Sequence, residues 1–181
     1  DYLAFGNGHI AIETASTSII GGSTLMLFDL SGTLPLDTAF PLNRYRHVSW
    51  EHPNNDPAPD MGSIFGLAVD EDGNIYVSTT KTWWDDVEGT YGWGAVYKVD
   101  TNTALPELFA SIPMPNNESS LGTITYDCDR SQFFVSSFED GLIYRLDMNG
   151  TILDSFDHGP LYDPSIGGPV AFGDRPWAVE V

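Results

Sequence analysis

The feature that most constrains this chain is an internal repeat. The segment GLAVDEDGNIYVSTT, which begins at Gly66, aligns with GTITYDCDRSQFFVSSF, which begins 56 positions later at Gly122. In both segments an apolar strand, an acidic turn and a second apolar strand follow one another. A third strand matches as well, in GAVYKVD from Gly94 and GLIYRLD from Gly141, and it ends in Asp each time. Such repetition indicates a fold built from copies of one supersecondary unit.

The repeated segments have the character of β-strands. Their β-branched and aromatic residues fall in short runs bounded by Gly, Asn, Asp and Ser, and no window keeps the apolar spacing of an amphipathic helix. After the third strand, Asp or Asn before Gly supplies a tight turn into a fourth strand. A four-stranded antiparallel unit at this period is typical of a β-propeller blade. We therefore predict an all-β chain, a β-propeller of four-stranded antiparallel blades.

The strand pattern predicts about three blades' worth of propeller in a single segment, residues 1–181, with strands a to d running from the inside of each blade outward. The predicted parts are strands b to d of one blade in 1–42, a loop insertion in 43–62, a second blade in 63–112, a third blade in 121–157, and the first strand of a next blade in 174–181. Gly66–Asp70 and Gly122–Tyr126 are the predicted innermost strands. Because propellers have roughly 4–8 blades, we expect the chain to be a segment of a longer polypeptide. The alternative is that it associates with another copy to complete the ring.

Charge and composition limit the partners. The 181 residues include 26 Asp and Glu against 7 Lys and Arg, which gives a net charge of −19. Neutralising phosphates requires clustered Lys and Arg, so this acidic chain is not expected to bind nucleic acid or anionic membranes. No apolar run approaches the roughly 20 residues of a membrane helix, so membrane insertion is not expected either. The single cysteine, Cys128, excludes an internal disulfide framework.

The run GLAVDEDGNIYVSTT resembles the repeats of NHL-like and gluconolactonase-like propellers. A closer resemblance covers residues 63–181, in the runs GAVYKVD, LGTITYDCDRSQFFVSSFEDGLIYRLDMNGTILDSFDHG and FGDRPWAVEV. These look like propeller segments of large secreted surface proteins of Bacteroidetes, which are type IX secretion substrates. The resemblance implies an extracellular or cell-surface location and a propeller within a multidomain protein. It carries no catalytic residues over to this chain.

The long loops of the predicted propeller are the candidate ligand site. The b-to-c loop of the second blade, 80–93, and the d-to-a segment 43–62 are predicted to emerge side by side at one end of their blades, where ligands bind more often than elsewhere. Aromatic rings in these loops are suited to stacking on sugars or anchoring a protein partner. The predicted ligand-binding residues are Trp50, Trp83, Trp84, Tyr91 and Trp93. The alternative is that these rings only pack the loop onto the blade.

Two groups of polar residues raise the question of a metal. Asp85, Asp86 and Glu88 offer oxygen ligands of the kind that Ca²⁺ takes, so they are a candidate calcium site, with solvated charge as the alternative. Their spacing matches no specific calcium loop. His47 and His52 lie in RYRHVSWEHPNNDPAPD, which lacks the HExxH pattern of a zinc helix. No other cofactor is predicted.

The sequence lacks the usual signatures of a nucleophilic enzyme, because GxSxG and phosphate-binding glycine loops do not occur. We therefore expect a non-catalytic extracellular binding or scaffold module of a larger secreted or surface-attached protein, which binds glycan or protein as an adhesin does. One alternative is a gluconolactonase-type metal-dependent hydrolase. It would need metal ligands at the blade starts, which read Ser63-Ile64-Phe65 and Ser120-Leu121-Gly122. The other alternative is a homotypic building block of a surface filament, joined through open edge strands.

Overall fold

The described part of the chain is built from short strands. The computed structural model describes residues 10–15, 22–29, 44–53, 57–82, 86–115, 117, 119–157 and 176–181. Its strands, in chain order, are β1 Ile10–Thr14, β2 Gly22–Ser23, β3 Leu25–Asp29, β4 Arg44–Tyr45, β5 Glu51–His52, β6 Ile64–Val69, β7 Ile75–Thr79, β8 Ala95–Val99, β9 Pro106–Ser111, β10 Leu121–Asp127, β11 Gln132–Ser137, β12 Leu142–Asp147 and β13 Ile152–Asp157. One turn of 3₁₀-helix covers Val48–Trp50. Within these ranges no helix has the length and apolar character needed to cross a membrane.

Two four-stranded antiparallel sheets contain the repeated segments. Strands β6 to β9 form one sheet, here the second blade, and β10 to β13 form the other, here the third blade. Each sheet keeps its strands in sequence order, as hairpins joined by short turns do. The registers correspond as well, since Val77 pairs with Tyr97 in the second blade and Val135 pairs with Tyr144 in the third. The predicted fold class, all-β with four-stranded antiparallel blades, is confirmed.

A smaller sheet, here the first blade, precedes them. Its central strand β3 pairs with β1 on one side and with β4 on the other, while β2 pairs with β5 nearby. Strands β4 and β5 lie within residues 43–62, so the prediction of a plain loop insertion there needs correction. The physical reason is apolar packing: the rings of Tyr45 and Trp50 meet edge to face at 5.4 Å in the core. Residues 30–43, which include the predicted fourth strand of this blade, lie outside the described residues.

Two apolar cores lie between consecutive blades. Because side chains alternate along a strand, Ile75 and Val77 enter the core shared with the first blade, whereas Tyr76 enters the core shared with the third. In that second core the ring of Phe133 lies 4.3 Å from the ring of Tyr76 and 5.2 Å from that of Phe109. The second blade is therefore covered on both faces.

Hydroxyl side chains on β1 and β7 join each blade to the innermost strand of the next. Thr14 Oγ1 in the first blade donates to the carbonyl of Phe65 at 3.0 Å, and Ser78 Oγ in the second donates to the carbonyl of Gly122 at 2.5 Å. Glycine is needed at position 66, because a Cβ there would lie 2.8 Å from the Gly122 carbonyl oxygen. The innermost strands thus approach each other at backbone contact distance.

Pro176–Val181 lies beside the innermost strand of the third blade. The Thr123 N–H donates to the Trp177 carbonyl at 3.4 Å, and the Val179 N–H donates to Thr123 Oγ1 at 2.9 Å. The Trp177 ring lies 4.8 Å from that of Phe138. This segment is predicted to be the first strand of a next blade. In the structure this segment is not a regular strand. It does lie next to β10, and β10 in turn lies next to β6, the innermost strand of the second blade.

Candidate functional site

The candidate site begins with hydrogen bonds between two connections of the chain. The Asp60 N–H donates to Thr90 Oγ1 at 2.9 Å, and the Asp60 carbonyl accepts from the Thr90 N–H at 2.8 Å. Nearby, the Ser63 N–H donates to the Val87 carbonyl at 2.9 Å, and the Val87 N–H donates to Ser63 Oγ at 3.0 Å. The two bonds between Asp60 and Thr90 confirm the prediction that the 43–62 segment and the 80–93 loop lie side by side.

A buried tyrosine on the second blade holds both connections. The Tyr97 hydroxyl donates to the Asp60 carbonyl at 2.9 Å and accepts from the Tyr91 N–H at 3.1 Å. Burial raises the pKa of Tyr97 to about 12, so its hydroxyl keeps its proton at neutral pH and remains a donor. Because Tyr97 lies in the central strand β8, the sheet fixes the position of the loop that carries Tyr91.

Next to this contact lies an open cleft of about 400 Å³. It is bounded on one side by the end of the 80–93 loop and on the other by the connection from the second blade to the third. Its lining residues include Tyr91, Trp93, Ser111, Pro113, Met114 and Asn117. The cleft is wide open, and its exposed lining is more polar than apolar, with the Tyr91 and Trp93 rings beside hydrogen-bonding groups.

Lys81 lies at the edge of the cleft. Its Nζ is 5.6 Å from the centroid of the Trp93 ring and donates to the Asn117 carbonyl at 3.3 Å. A cation over an aromatic face is attracted by the ring's electrons. The same residue is anchored by its backbone, since its N–H donates to Ser120 Oγ at 2.7 Å. Lys81 therefore joins both walls of the cleft.

The structure separates the predicted ligand-binding aromatics. Tyr91 has 46% of its surface exposed and is open to a ligand, whereas Trp93 has 7% and contributes only part of its ring to the cleft wall. Trp83 and Trp84 lie outside the described residues, so their role stays a prediction.

Trp50 requires a correction. It has 2% of its surface exposed, and its Nε1 donates to the Ala104 carbonyl at 2.8 Å in the core between the first and second blades. A ring buried in this way cannot stack on a sugar or on a partner. The prediction of one exposed aromatic surface that includes Trp50 is therefore wrong.

The calcium prediction is not decided by the described residues. Asp86 and Glu88 lie in the described part of the 80–93 loop, but Asp85 lies outside it. Among the residues that the structure does describe, no three His, Cys, Asp or Glu side chains lie together as metal ligands. His52 pairs instead with Asp60, with Nδ1 and Oδ2 at 2.9 Å, while His47 Nδ1 accepts from the Ser49 N–H at 3.2 Å.

Comparisons with known proteins bear on the fold. No protein-family model matches the chain, and no curated protein matches it significantly. Among solved structures it is similar to a nidogen/laminin complex, with a TM-score of 0.50, 17% identity, and coverage of 83% of this chain and 45% of that one. It is also similar to the GH74 xyloglucanase of Xanthomonas campestris, with a TM-score of 0.50, 16% identity, and coverage of 87% and 20%.

Both neighbours have β-propeller-like folds. Their similarity and the two repeated four-stranded sheets point to the same architecture. This chain is built from propeller blades. It spans less than half of either neighbour's length. At such low identity the likeness concerns the fold alone.

Two acidic groups of the propeller are structural. Asp70 lies in a turn, where its Oδ1 accepts from the Asn74 N–H at 2.9 Å and its Oδ2 accepts from the Tyr76 hydroxyl at 2.9 Å. Burial acts to raise the pKa of Asp70, but hydrogen bonds from Asn74 and Tyr76 outweigh it and hold that pKa below 3.8. Glu139 is fully buried and accepts from the Ser119 N–H at 2.8 Å, so it holds the connection that leads into the third blade.

Sequence reasoning missed Met114 and Asn117 as cleft residues and Tyr97 as the residue that fixes the loop. Met114 and Asn117 lie in the connection between the second and third blades, and neither has a chemical signature of its own. Tyr97 reads as an ordinary strand residue. A signal existed for Tyr97 in the repeat itself, because Tyr144 occupies the same place in the third blade.

Proposed function

We propose that this chain is a non-catalytic binding or scaffold module that takes a glycan or protein ligand at the cleft beside Tyr91. The observation that carries the proposal is the exposed Tyr91 ring at the edge of a 400 Å³ cleft. The Tyr97 hydroxyl accepts from the Tyr91 backbone N–H, and the rings of the two tyrosines lie 5.9 Å apart. Because the loop backbone is already held at Tyr91, less of it has to be ordered on binding, which lowers the entropic cost of association. The net charge of −19 favours neutral or basic ligands over polyanions.

The proposed context is a larger secreted or surface-attached protein. Support comes from the resemblance of residues 63–181 to propeller segments of Bacteroidetes surface proteins, and of GLAVDEDGNIYVSTT to NHL-like repeats. One structural neighbour is itself a complex of two proteins, nidogen and laminin, which agrees with a protein ligand as one of the two options. Calcium at Asp85, Asp86 and Glu88 remains part of the proposal.

The alternatives have less support from the described residues. A gluconolactonase-type hydrolase needs ligands for a metal at the inner ends of the blades. There, the hydroxyls of Ser63 and Ser120 accept hydrogen bonds from the Val87 and Lys81 backbone amides instead. The surface-filament hypothesis stays an alternative that the oligomeric state can address.

The experiment is a glycan-array and pull-down screen with the chain, followed by titration of each ligand found. Tyr91→Ala should weaken binding by more than about tenfold, because truncating an interfacial aromatic commonly costs over 1–2 kcal/mol. Leu105→Ala is the control, since Leu105 is 40% exposed and lies in a turn of the second blade away from the cleft lining. The double variant Trp83→Ala, Trp84→Ala tests the rest of the loop.

Two results would overturn the proposal. One is equal affinity in Tyr91→Ala and in the unaltered chain. The other is a ligand whose binding responds to Leu105→Ala and not to Tyr91→Ala. Circular dichroism of each variant shows whether the blades remain folded.

A further inference from the structure

The third blade has one face that the described chain leaves open. Phe156, on its outermost strand, has 62% of its surface exposed. Around it lies a groove of about 300 Å³, lined by Phe134, Ile143, Arg145, Asp154, Ser155 and Phe156. The opposite face of the same sheet is packed against the second blade through Phe133 and Val135. One face of the third blade is therefore packed, and the other exposes apolar and aromatic side chains to solvent, which a folded protein rarely does over a large area.

The repeat supplies the explanation, because the second blade has the same face and there it is covered. Aligning the two blades places three residues of the second blade at the positions of three in the third: Tyr76 at Phe134, Val96 at Ile143, and Ala110 at Phe156. The pairing registers agree, since Val96 lies opposite Ala110 and Ile143 lies opposite Phe156. The second-blade residues are buried against the third blade, with exposed fractions of 1%, 0% and 4% for Tyr76, Val96 and Ala110.

The hydroxyl that joins blades is also present on the third blade. Ser78 pairs with Val96 and donates to the Gly122 carbonyl of the following blade. Ser136 pairs with Ile143 in the corresponding register. Its Oγ lies 3.4 Å from the Thr123 carbonyl of its own blade, a long contact for a hydroxyl donor. Ser136 is therefore placed to donate to a following blade as Ser78 does.

The charged pair at the rim of this face is incomplete in the described chain. In the second blade Lys98 pairs with Glu107 at 3.9 Å. Arg145 and Asp154 occupy the matching register in the third. Arg145 Nε is buried, and it has no hydrogen-bond partner among the described residues. A buried donor of this kind requires an acceptor, which a covering element would provide.

We propose that the groove around Phe156 receives a further blade of the same polypeptide, with Pro176–Val181 as its innermost strand. That segment already lies beside β10, bonded to Thr123 at 2.9 Å through the Val179 N–H. By analogy with the second core, the incoming face presents an aromatic residue at the Phe133 position, aliphatic residues at the Val135 and Leu146 positions, and an acceptor for Arg145. The inference is independent of ligand binding at the Tyr91 cleft.

The test compares residues 1–181 with the natural gene product that contains them. Phe156→Asp should lower the urea midpoint of the natural product strongly, and it should leave that of the 1–181 chain nearly unchanged because the ring is exposed there. Leu108→Asp is the matched control: Leu108 is 40% exposed on the outermost strand of the second blade, so a small effect is expected in both proteins. Hydroxyl-radical footprinting should find Phe156 reactive in the 1–181 chain and protected in the natural product.

Four outcomes would overturn the proposal. The natural reading frame could end at Val181, or Phe156 could be equally reactive in both proteins. Light scattering could show a dimer of the 1–181 chain that Phe156→Asp converts to monomer, which would make a second copy the occupant. Finally, Phe156 could be protected in a monomeric 1–181 chain, which would assign the cover to residues 158–175.

Discussion

Replacing Tyr97 by Phe removes one oxygen atom from the second blade, and it should change both stability and binding. The Tyr97 hydroxyl makes two hydrogen bonds, to the Asp60 carbonyl and from the Tyr91 N–H. The Asp60 carbonyl would keep the Thr90 N–H as a partner at 2.8 Å. The Tyr91 N–H would lose the acceptor that the hydroxyl provides. A donor left unsatisfied costs about 1–3 kcal/mol, and since this one is only partly buried, we expect a loss of about 1–2 kcal/mol in the free energy of unfolding.

The assay is urea unfolding followed by Trp fluorescence, together with ligand titration. Tyr144→Phe is the matched control, because Tyr144 occupies the same position in the third blade and its hydroxyl donates to Asp140 Oδ2. Both variants should lose stability. Only Tyr97→Phe should weaken ligand binding, because only Tyr97 holds Tyr91 at the cleft.

The reasoning would be refuted if Tyr97→Phe unfolded at the same urea concentration as the unaltered chain, since the bonds to Asp60 and Tyr91 would then contribute nothing. Equal losses of binding in Tyr97→Phe and Tyr144→Phe would also contradict it. That result would mean that binding follows overall stability and not the position of the loop.

Two further predictions concern the core and the acidic turns. Phe133→Ala should lower the free energy of unfolding by about 3–5 kcal/mol, because removing a fully buried ring leaves a cavity. The neighbouring Phe134→Ala in the 1–181 chain should lower it by less than half as much. Equal losses in urea unfolding would contradict the packing described. Hydrogen bonds hold the pKa of Asp70 below 3.8 despite burial, and hydrogen bonds led by that from the Gln132 side chain lower the pKa of Asp127. The stabilisation that these two carboxylates contribute is therefore complete at a pH above their pKa in the unfolded chain. It is lost as the pH falls through their lower pKa values in the folded chain. Asp70→Asn should make the urea midpoint less dependent on pH below about 4, and an unchanged dependence would show that Asp70 does not contribute.

The strands could be predicted because their signals are local. Short runs of β-branched and aromatic residues, with acidic turns between them, place β6, β7, β10 and β11 close to their observed bounds, since each signal lies within a few neighbouring residues. The repeat then predicts that the second and third blades share one topology, because both segments have the same order of strands and turns.

The site could be predicted only in part, because burial depends on distant residues. Trp50 lies in a polar, Pro-rich stretch that is typical of a loop, yet its Nε1 bonds the Ala104 carbonyl 54 positions away. Tyr91 and Trp93 lie two positions apart in the same loop and differ little as residue types, yet Tyr91 is 46% exposed and Trp93 is 7% exposed. Such burial depends on residues far away in the sequence, so no local sequence pattern predicts it.

The bonds from Thr14 to Phe65 and from Ser78 to Gly122 have a consequence for how the chain comes apart. Each described junction links a blade to its neighbour in sequence, so the blades form a row in which cooperativity passes from one unit to the next. The second blade, which takes part in both junctions, can open only when one of them has been broken. Among the three described blades, the second has two described junctions and each of its neighbours has one, so we expect the second to be the last of the three to lose protection from solvent exchange.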